Sequence, residues 1–157
     1  MYDFSEGGYN RFGDNMINDR EMLASILKIT QTGQMGIRSV LDASMRPGLR
    51  KALQAQLQEY NAIEAETCAV ASQRGWELKE LQPGRRMLSD MLIRMKLSHG
   101  NADSRIADMM IHHNVQGMIK GLKDLHQYPH QDSQVSSLSQ RLLDCETANI
   151  RQMQPFL

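Results

Sequence analysis

The sequence lacks the features that direct a chain to a membrane, an oxidising compartment or nucleic acid. Its two cysteines, Cys68 and Cys145, have no CxxC spacing and fit reduced, buried thiols better than a disulfide framework or a zinc site. No apolar run approaches the roughly 20 residues that cross a bilayer, and the first residues form no basic-then-apolar signal sequence. Eighteen basic residues balance eighteen acidic ones, so the basic surplus that phosphate backbones require is missing. We therefore expect a cytoplasmic protein that binds neither membranes nor nucleic acid.

Catalytic motifs are also missing. No strand pattern is recognisable in the sequence, so no glycine-rich phosphate loop or dinucleotide fingerprint follows a strand. No Ser-His-Asp arrangement stands out either. The sequence predicts a protein that is not an enzyme and has no cofactor.

What the chain does have is a strong helical pattern. After residue 17, apolar residues recur at steps of three and four, which is typical of amphipathic helices packed side by side. A length of 157 residues with 41% hydrophobic content fits one domain, placed at residues 18–157. Residues 1–17 differ from this pattern: glycines and asparagines separate their aromatic side chains, which predicts an arm that docks on the bundle or on a second copy, or a frayed terminus. Helices are predicted at 19–44, 47–74, 85–99, 103–127 and 132–154.

The helix ends carry recognisable signals. Asn18 or Asp19 can cap the first helix, Pro47 suits the first turn of the second, and Gly75 suits a left-handed cap at its end. Short connections predict two antiparallel hairpins, joined by a connection long enough to cross the bundle. The expected fold is therefore an all-α, ferritin-like four-helix bundle with a short extra helix in the crossover. The inward stripe predicted for the 103–127 helix is Ala107, Met110, Ile111, Val115, Met118, Leu122 and Leu125.

A family resemblance is carried by residues 23–76, about a third of the chain. The residues concerned are Leu49-Arg50-Lys51, Gln56, Glu59-Tyr60 and Arg74-Gly75-Trp76. An "LR" at the start of the second helix and a "GW" at its end resemble the spore-coat protein F-like group of ferritin-like bundles. The resemblance implies a ferritin-like fold and a non-enzymatic structural role connected with the spore coat.

Ferritin-like bundles that use metal place a glutamate on each of two helices and a Glu-x-x-His pair on each of the other two. Here the corresponding pairs are Glu64-x-x-Thr67 and Glu146-x-x-Asn149, which keep the carboxylate and lack the imidazole. Buried carboxylates need hydrogen bonds, a proton or a partner. We therefore predict a buried polar layer, with two alternatives: a divalent ion held weakly by the two glutamates and water, or both glutamates turned to solvent. The predicted layer consists of Thr30, Gln34, Glu64, Thr67, Asn114, Glu146 and Asn149.

A second metal hypothesis rests on His112 and His113. With Met109, Met110 and Met118 they resemble the "M-x-x-H-H" signature of a helical, copper-associated family, whose ligands suit copper. Adjacent helical residues project about 100° apart, so a second element would have to supply further ligands. We place His113 on the outward face with Lys120 and Asp124, and His112 near the boundary. The twelve methionines are interpreted mainly as flexible core packing.

Gly117 and Gly121 lie four residues apart in mid-helix, where glycine costs about 1 kcal/mol relative to alanine. Close approach of a neighbouring helix or of the arm would compensate; otherwise these glycines loosen the helix. Taken together, the sequence favours a structural or interaction protein that forms a homodimer or binds another protein. The alternative is a ferritin-like bundle that stores or senses iron or copper.

Overall fold

The structure is a computed structural model that describes residues 11–82, 93, 96, 100–129 and 131–157, with the backbone alone at residues 11–17. All regular structure in these residues is helical, which confirms the all-α class. Of the predicted arm at residues 1–17, residues 1–10 lie outside the described residues. The predicted helix at 85–99 also lies outside them, apart from residues 93 and 96, which are helical. The four long helices are α1 (Arg11–Val40), α2 (Pro47–Gln73), α3 (Ala102–Gln127) and α4 (Ser133–Met153), followed by a 3-10 turn at Gln154–Phe156.

Helix α1 differs most from its predicted bounds. It begins at Arg11, so residues 11–17, which the sequence placed in the arm, belong to the helix. A glycine in this stretch costs about 1 kcal/mol and does not outweigh the helical hydrogen bonds on either side of it. Asn18 and Asp19 consequently both lie inside the helix, and the predicted cap at either residue is wrong. The helix ends at Val40, four residues before the predicted end, and beyond it Arg50 donates to the carbonyls of Leu41 and Ala43.

The other helix ends follow the predicted chemistry closely. Pro47 occupies the first turn of α2 behind an extended Arg46, and Gly75 adopts a φ of 69° just past the end of the helix. Both predictions are confirmed. The side chains of Asn101 and Asp132 accept hydrogen bonds from the backbone N–H three residues on, at 3.0 and 2.9 Å, and so cap α3 and α4.

The direction of each helix follows from the ion pairs at the two ends of the bundle. Helices α1 and α2 form one hairpin, α3 and α4 form the other, α2 packs on α4 and α1 packs on α3. At one end, Arg46 pairs with Asp103 at 2.9 Å and joins the α1–α2 turn to the start of α3. At the other end, Arg74 contacts both Asp19 and Asp132, joining the end of α2 to α1 and to the start of α4. Helix α3 therefore runs parallel to α2, and the end of α2 and the start of α3 lie at opposite ends of the bundle.

The core lies between the four helices. None of the described helices combines the length and the apolar composition needed to cross a membrane. The interior is filled by side chains from every helix, among them Met22, Ile26, Ile37, Leu49, Leu53, Tyr60, Ile63, Ala107, Met110, Val135, Leu138 and Leu142.

Helix α3 is rotated relative to its predicted inward stripe. Val115 and Leu122, predicted to face the core, are 40% and 49% exposed. That part of the prediction is wrong, because it selected the largest apolar side chains and passed over small or polar side chains that have space or partners in the core. The buried face of α3 consists of Asp103, Ile106, Ala107, Met109, Met110, Asn114, Gly117, Gly121 and Asp124.

Candidate functional site

A fully buried tyrosine at the middle of the bundle joins three helices. The hydroxyl of Tyr60 lies 2.6 Å from Oε1 of Glu146 and 3.1 Å from Oδ1 of Asn114, two acceptors for its single proton. Nδ2 of Asn149 donates to the same oxygen at 3.3 Å. These four residues are called the central cluster below. The sequence predicted a place in the polar layer for Asn114, Glu146 and Asn149 but no polar role for Tyr60. The signal that could have found Tyr60 is that a buried tyrosine hydroxyl needs a partner.

Glu146 is the chemically unusual member of the central cluster. Its side chain is completely buried, and burial raises its pKa from 4.5 to about 8, while the bond from Tyr60 acts in the opposite direction. Its Oε2 has no hydrogen-bond partner among the described residues, and the same holds for Nδ2 of Asn114. At neutral pH the carboxyl is therefore mainly protonated, and it can act as a hydrogen-bond donor in a dry environment.

His113 lies beside the central cluster, contrary to the prediction that it faces outward. Its ring meets the ring of Tyr60 edge-on, with 6.4 Å between centroids and 77° between planes. Burial lowers its pKa from 6.5 to about 4, so the imidazole is neutral at pH 7, and its buried Nε2 has no partner among the described residues. Gly33 makes the space: a Cβ there would lie 2.6 Å from the Tyr60 ring and 2.9 Å from Nε2 of His113.

The two adjacent histidines diverge. His112 is half-buried at the surface of α3, and its Nδ1 lies 3.3 Å from the carbonyl oxygen of Asp108. Because His113 points inward, the imidazoles do not converge as a copper site built on this pair would need. Asp124, also predicted to face outward, is 1% exposed, and its carboxylate accepts from Ser25 and Lys120.

The two glycines of α3 are close to side chains of α4. A Cβ on Gly117 would lie 2.9 Å from Oε2 of Glu146, and one on Gly121 would lie 3.0 Å from Cδ2 of Leu143. The predicted close approach of a neighbouring helix is therefore confirmed. Gly117 in particular gives the buried carboxyl group its space.

The other predicted polar-layer residues lie apart from the central cluster. Glu64 is half-buried between α1 and α2 and accepts from Nε2 of Gln34, which also donates to Asn61 at 3.0 Å. The hydroxyls of Thr30 and Thr67 donate within their own helices, each to the carbonyl four residues earlier at 2.7 Å. The seven side chains therefore form no single layer.

Possible metal ligands do not gather within the described part of the chain. No three His, Cys, Asp or Glu side chains there come close enough to hold one ion. Glu64 and Glu146, the candidates from the sequence, belong to two different hydrogen-bond networks. The thiols differ as well: Cys145 is buried, which raises its pKa to about 12, whereas Cys68 is exposed, and its predicted burial is wrong.

The outward face of α3 carries an apolar stripe, called the outer stripe below. Val115, Ile119 and Leu122 in it are 40–49% exposed. Its inner edge reaches α4 through Met118, whose Sδ lies 3.8 Å from the hydroxyl of Thr147. The outer stripe consists of Ile111, Val115, Met118, Ile119 and Leu122.

No protein-family model matches this chain, and no match was found among curated proteins or among solved structures.

Proposed function

We propose that the protein is a non-enzymatic interaction protein with a ferritin-like bundle, and that it forms a homodimer through the outer stripe of α3. One observation carries this proposal: three large apolar side chains, Val115, Ile119 and Leu122, are 40–49% exposed within two turns of one helix. Elsewhere among the described residues only Ile93 and Leu157 are large, apolar and exposed. A contiguous apolar surface of this kind is typical of an interface.

The bundle type is supported by the helix directions and by the residues that carry the family resemblance. A parallel α2 and α3 joined by a crossing connection is the ferritin-like arrangement. Arg50 ties the end of α1 to α2, and the guanidinium of Arg74 lies 5.3 Å from the ring centre of Trp76 at the end of α2. Arg50 and Arg74, which carry part of the resemblance, therefore act in holding the helix ends together. The spore-coat connection, the cytoplasmic location and the lack of enzymatic activity stay predictions.

The outer stripe favours a second copy of the same chain over another partner. In an antiparallel pairing about a two-fold axis that crosses the outer stripe midway between Val115 and Ile119, Val115 of one copy lies against Ile119 of the other, and the reverse. The same pairing brings Asp108, at the N-terminal end of the outer stripe, towards His126 and Lys123 at its C-terminal end in the second copy. Opposite charges therefore meet on both sides of the axis, and a net charge of zero produces no overall repulsion.

Charge substitution in the outer stripe tests the proposal directly. The double variant Val115→Glu/Leu122→Glu places two like charges in the contact, and Ala62→Glu/Ala69→Glu is the matched control, with the same seven-residue spacing on an exposed face of α2. Sedimentation velocity at tens of micromolar should give a dimer for the wild type and the control and a monomer for the outer-stripe variant. Circular dichroism should show equal helicity in all three. A monomeric wild type, or an outer-stripe variant that still dimerises, would contradict the proposal.

A further inference from the structure

A small cleft of about 180 Å³ opens between α1 and α3, on the opposite flank of α3 from the inner edge of the outer stripe. Each helix contributes four residues to the cleft, spaced three, four and seven positions after the first, so that they lie on one face of the helix. Gly117 contributes no side chain to its inner wall. Its walls are Ser25, Lys28, Ile29 and Thr32 from α1, and His113, Gln116, Gly117 and Lys120 from α3.

The charges around the cleft leave one positive charge uncompensated. The carboxylate of Asp124 accepts from two residues of its walls, Ser25 and Lys120. Lys28 is exposed and has no ion pair within the described residues. The cleft therefore has two lysines and one carboxylate, which favours a ligand with a single negative charge.

The inner wall contributes polar atoms without adding charge. His113 is neutral at pH 7, and its Nε2 has no hydrogen-bond partner among the described residues. Behind Gly117 lies the unpartnered Oε2 of Glu146, on a carboxyl group that is mainly protonated at this pH. An anion here meets no opposing carboxylate charge on the inner side.

We propose that this cleft binds a small monocarboxylate with a short hydrocarbon body. The volume corresponds to about six water molecules, which is below the usual range for drug-sized ligands and limits the body to a few carbons. The hydrocarbon lies over Ile29 and Gly117, and the carboxylate lies between Lys28 and Lys120 at the opening. The two lysines disfavour an amine of the same size.

The test uses hexanoate as the probe, with hexylamine as a control of equal length and opposite charge. Titration of the full ¹⁵N-labelled chain should give saturable amide shifts at Ile29, Thr32, Gln116 and Gly117 with hexanoate. Hexylamine should bind at least about tenfold more weakly, because its charge is repelled by the lysines. Shifts that do not saturate, or equal affinity for the two probes, would overturn the proposal.

A charge variant identifies the binding position. Lys28→Glu should weaken hexanoate binding by about tenfold or more, because it removes a charge-assisted hydrogen bond and adds repulsion. Lys51→Glu, at an exposed position on α2, is the matched control and should leave the affinity unchanged. Equal affinity in the wild type and Lys28→Glu would rule out this cleft as the site. Lys28 is exposed, so neither outcome is confused with misfolding, and neither depends on dimerisation.

Discussion

The buried carboxyl group of Glu146, which has no basic partner among the described residues, couples the stability of the fold to pH. Between its ordinary pKa of 4.5 and its folded pKa of about 8, Glu146 keeps a proton that the unfolded chain has released. Stability therefore falls as pH rises through this window, by about 1.4 kcal/mol per pH unit. His113 has the opposite effect between about 4 and 6.5, where only the unfolded chain is protonated. The two effects offset each other up to about pH 6.5, and above it the decline caused by Glu146 remains.

Glu146→Gln tests this coupling, because the amide keeps the shape of the neutral acid and cannot ionise. Between pH 6.5 and 8, urea unfolding should show a loss of about 2 kcal/mol in the wild type and little change in the variant. At pH 8 the variant should be the more stable protein. Parallel pH profiles for the two proteins would show that Glu146 is ionised in the folded state.

Two glycines in helices should respond in opposite ways to an added methyl group. In Gly33→Ala the new Cβ would lie 2.6 Å from the Tyr60 ring, and that ring cannot retreat without breaking hydrogen bonds in the central cluster. We expect the free energy of unfolding, measured by chemical denaturation, to fall by about 1–3 kcal/mol. Gly48→Ala is the control: its Cβ would lie 3.7 Å from Phe156, an ordinary contact. The free energy of unfolding of Gly48→Ala should rise by up to about 1 kcal/mol, because alanine is the better helix former. Equal effects at the two sites would mean that the Tyr60 ring can shift freely.

At the level of residues, the sequence predicts the central cluster only in part. Asn114, Glu146 and Asn149 could be predicted from the sequence, because a polar side chain on the inward face of a helix interrupts an apolar pattern. His113 was not, because its direction depends on the space that Gly33 leaves on another helix. No periodicity within a single helix contains that information.

At the level of helices, Arg74 joins the end of α2 to the start of α4 and to Asp19 within α1. It pairs with Asp19, which is 5% exposed and whose pKa is raised chiefly by burial, and with the capping residue Asp132. Arg74→Met keeps the aliphatic packing but leaves the buried carboxylate of Asp19 without its ion pair. We therefore expect the free energy of unfolding to fall by about 2 kcal/mol or more. Arg141→Met is the matched control, since Arg141 forms exposed ion pairs, and it should cost less than about 1 kcal/mol. Thermal unfolding of the two variants should rank them in this order. The reverse ranking would mean that the junction contributes little.

The inward faces of α1 and α2 were predictable because their buried residues are mostly large and apolar. Helix α3 was not, because its buried face is built from Asn114, Gly117, Gly121 and Asp124 in its second half. Each of these is buried for a reason that lies elsewhere: a hydroxyl on α2, side chains on α4, or a serine on α1. Four of the apolar residues that the pattern selected lie in the outer stripe instead: Ile111, Val115, Met118 and Leu122.

At the level of the whole molecule, the helix count, the two hairpins and the long crossover follow from punctuation and connection length. The length of the crossover alone does not predict the helix directions. They follow from it only on the assumption that the crossover runs from one end of the bundle to the other. In the structure, Arg46 meets Asp103 at one end, and Arg74 meets Asp132 at the other. Those contacts require α3 to start beside the α1–α2 turn. In a simple up-and-down bundle it would start beside the end of α2.

Cysteine cross-linking distinguishes these two arrangements. Ala43 and Ala102 line the same cleft at one end of the bundle, so Ala43→Cys/Ala102→Cys should be joined within one chain by a short bis-maleimide. The exposed Cys68 is replaced by serine in all variants. Ala43→Cys/Gln127→Cys is the control, because the 26 residues of α3 place Gln127 about 40 Å from Ala102. Mass spectrometry of the digested, dilute protein should find the first cross-link and not the second. In an up-and-down bundle the end of α3 would lie beside the α1–α2 turn, and the two results would be exchanged.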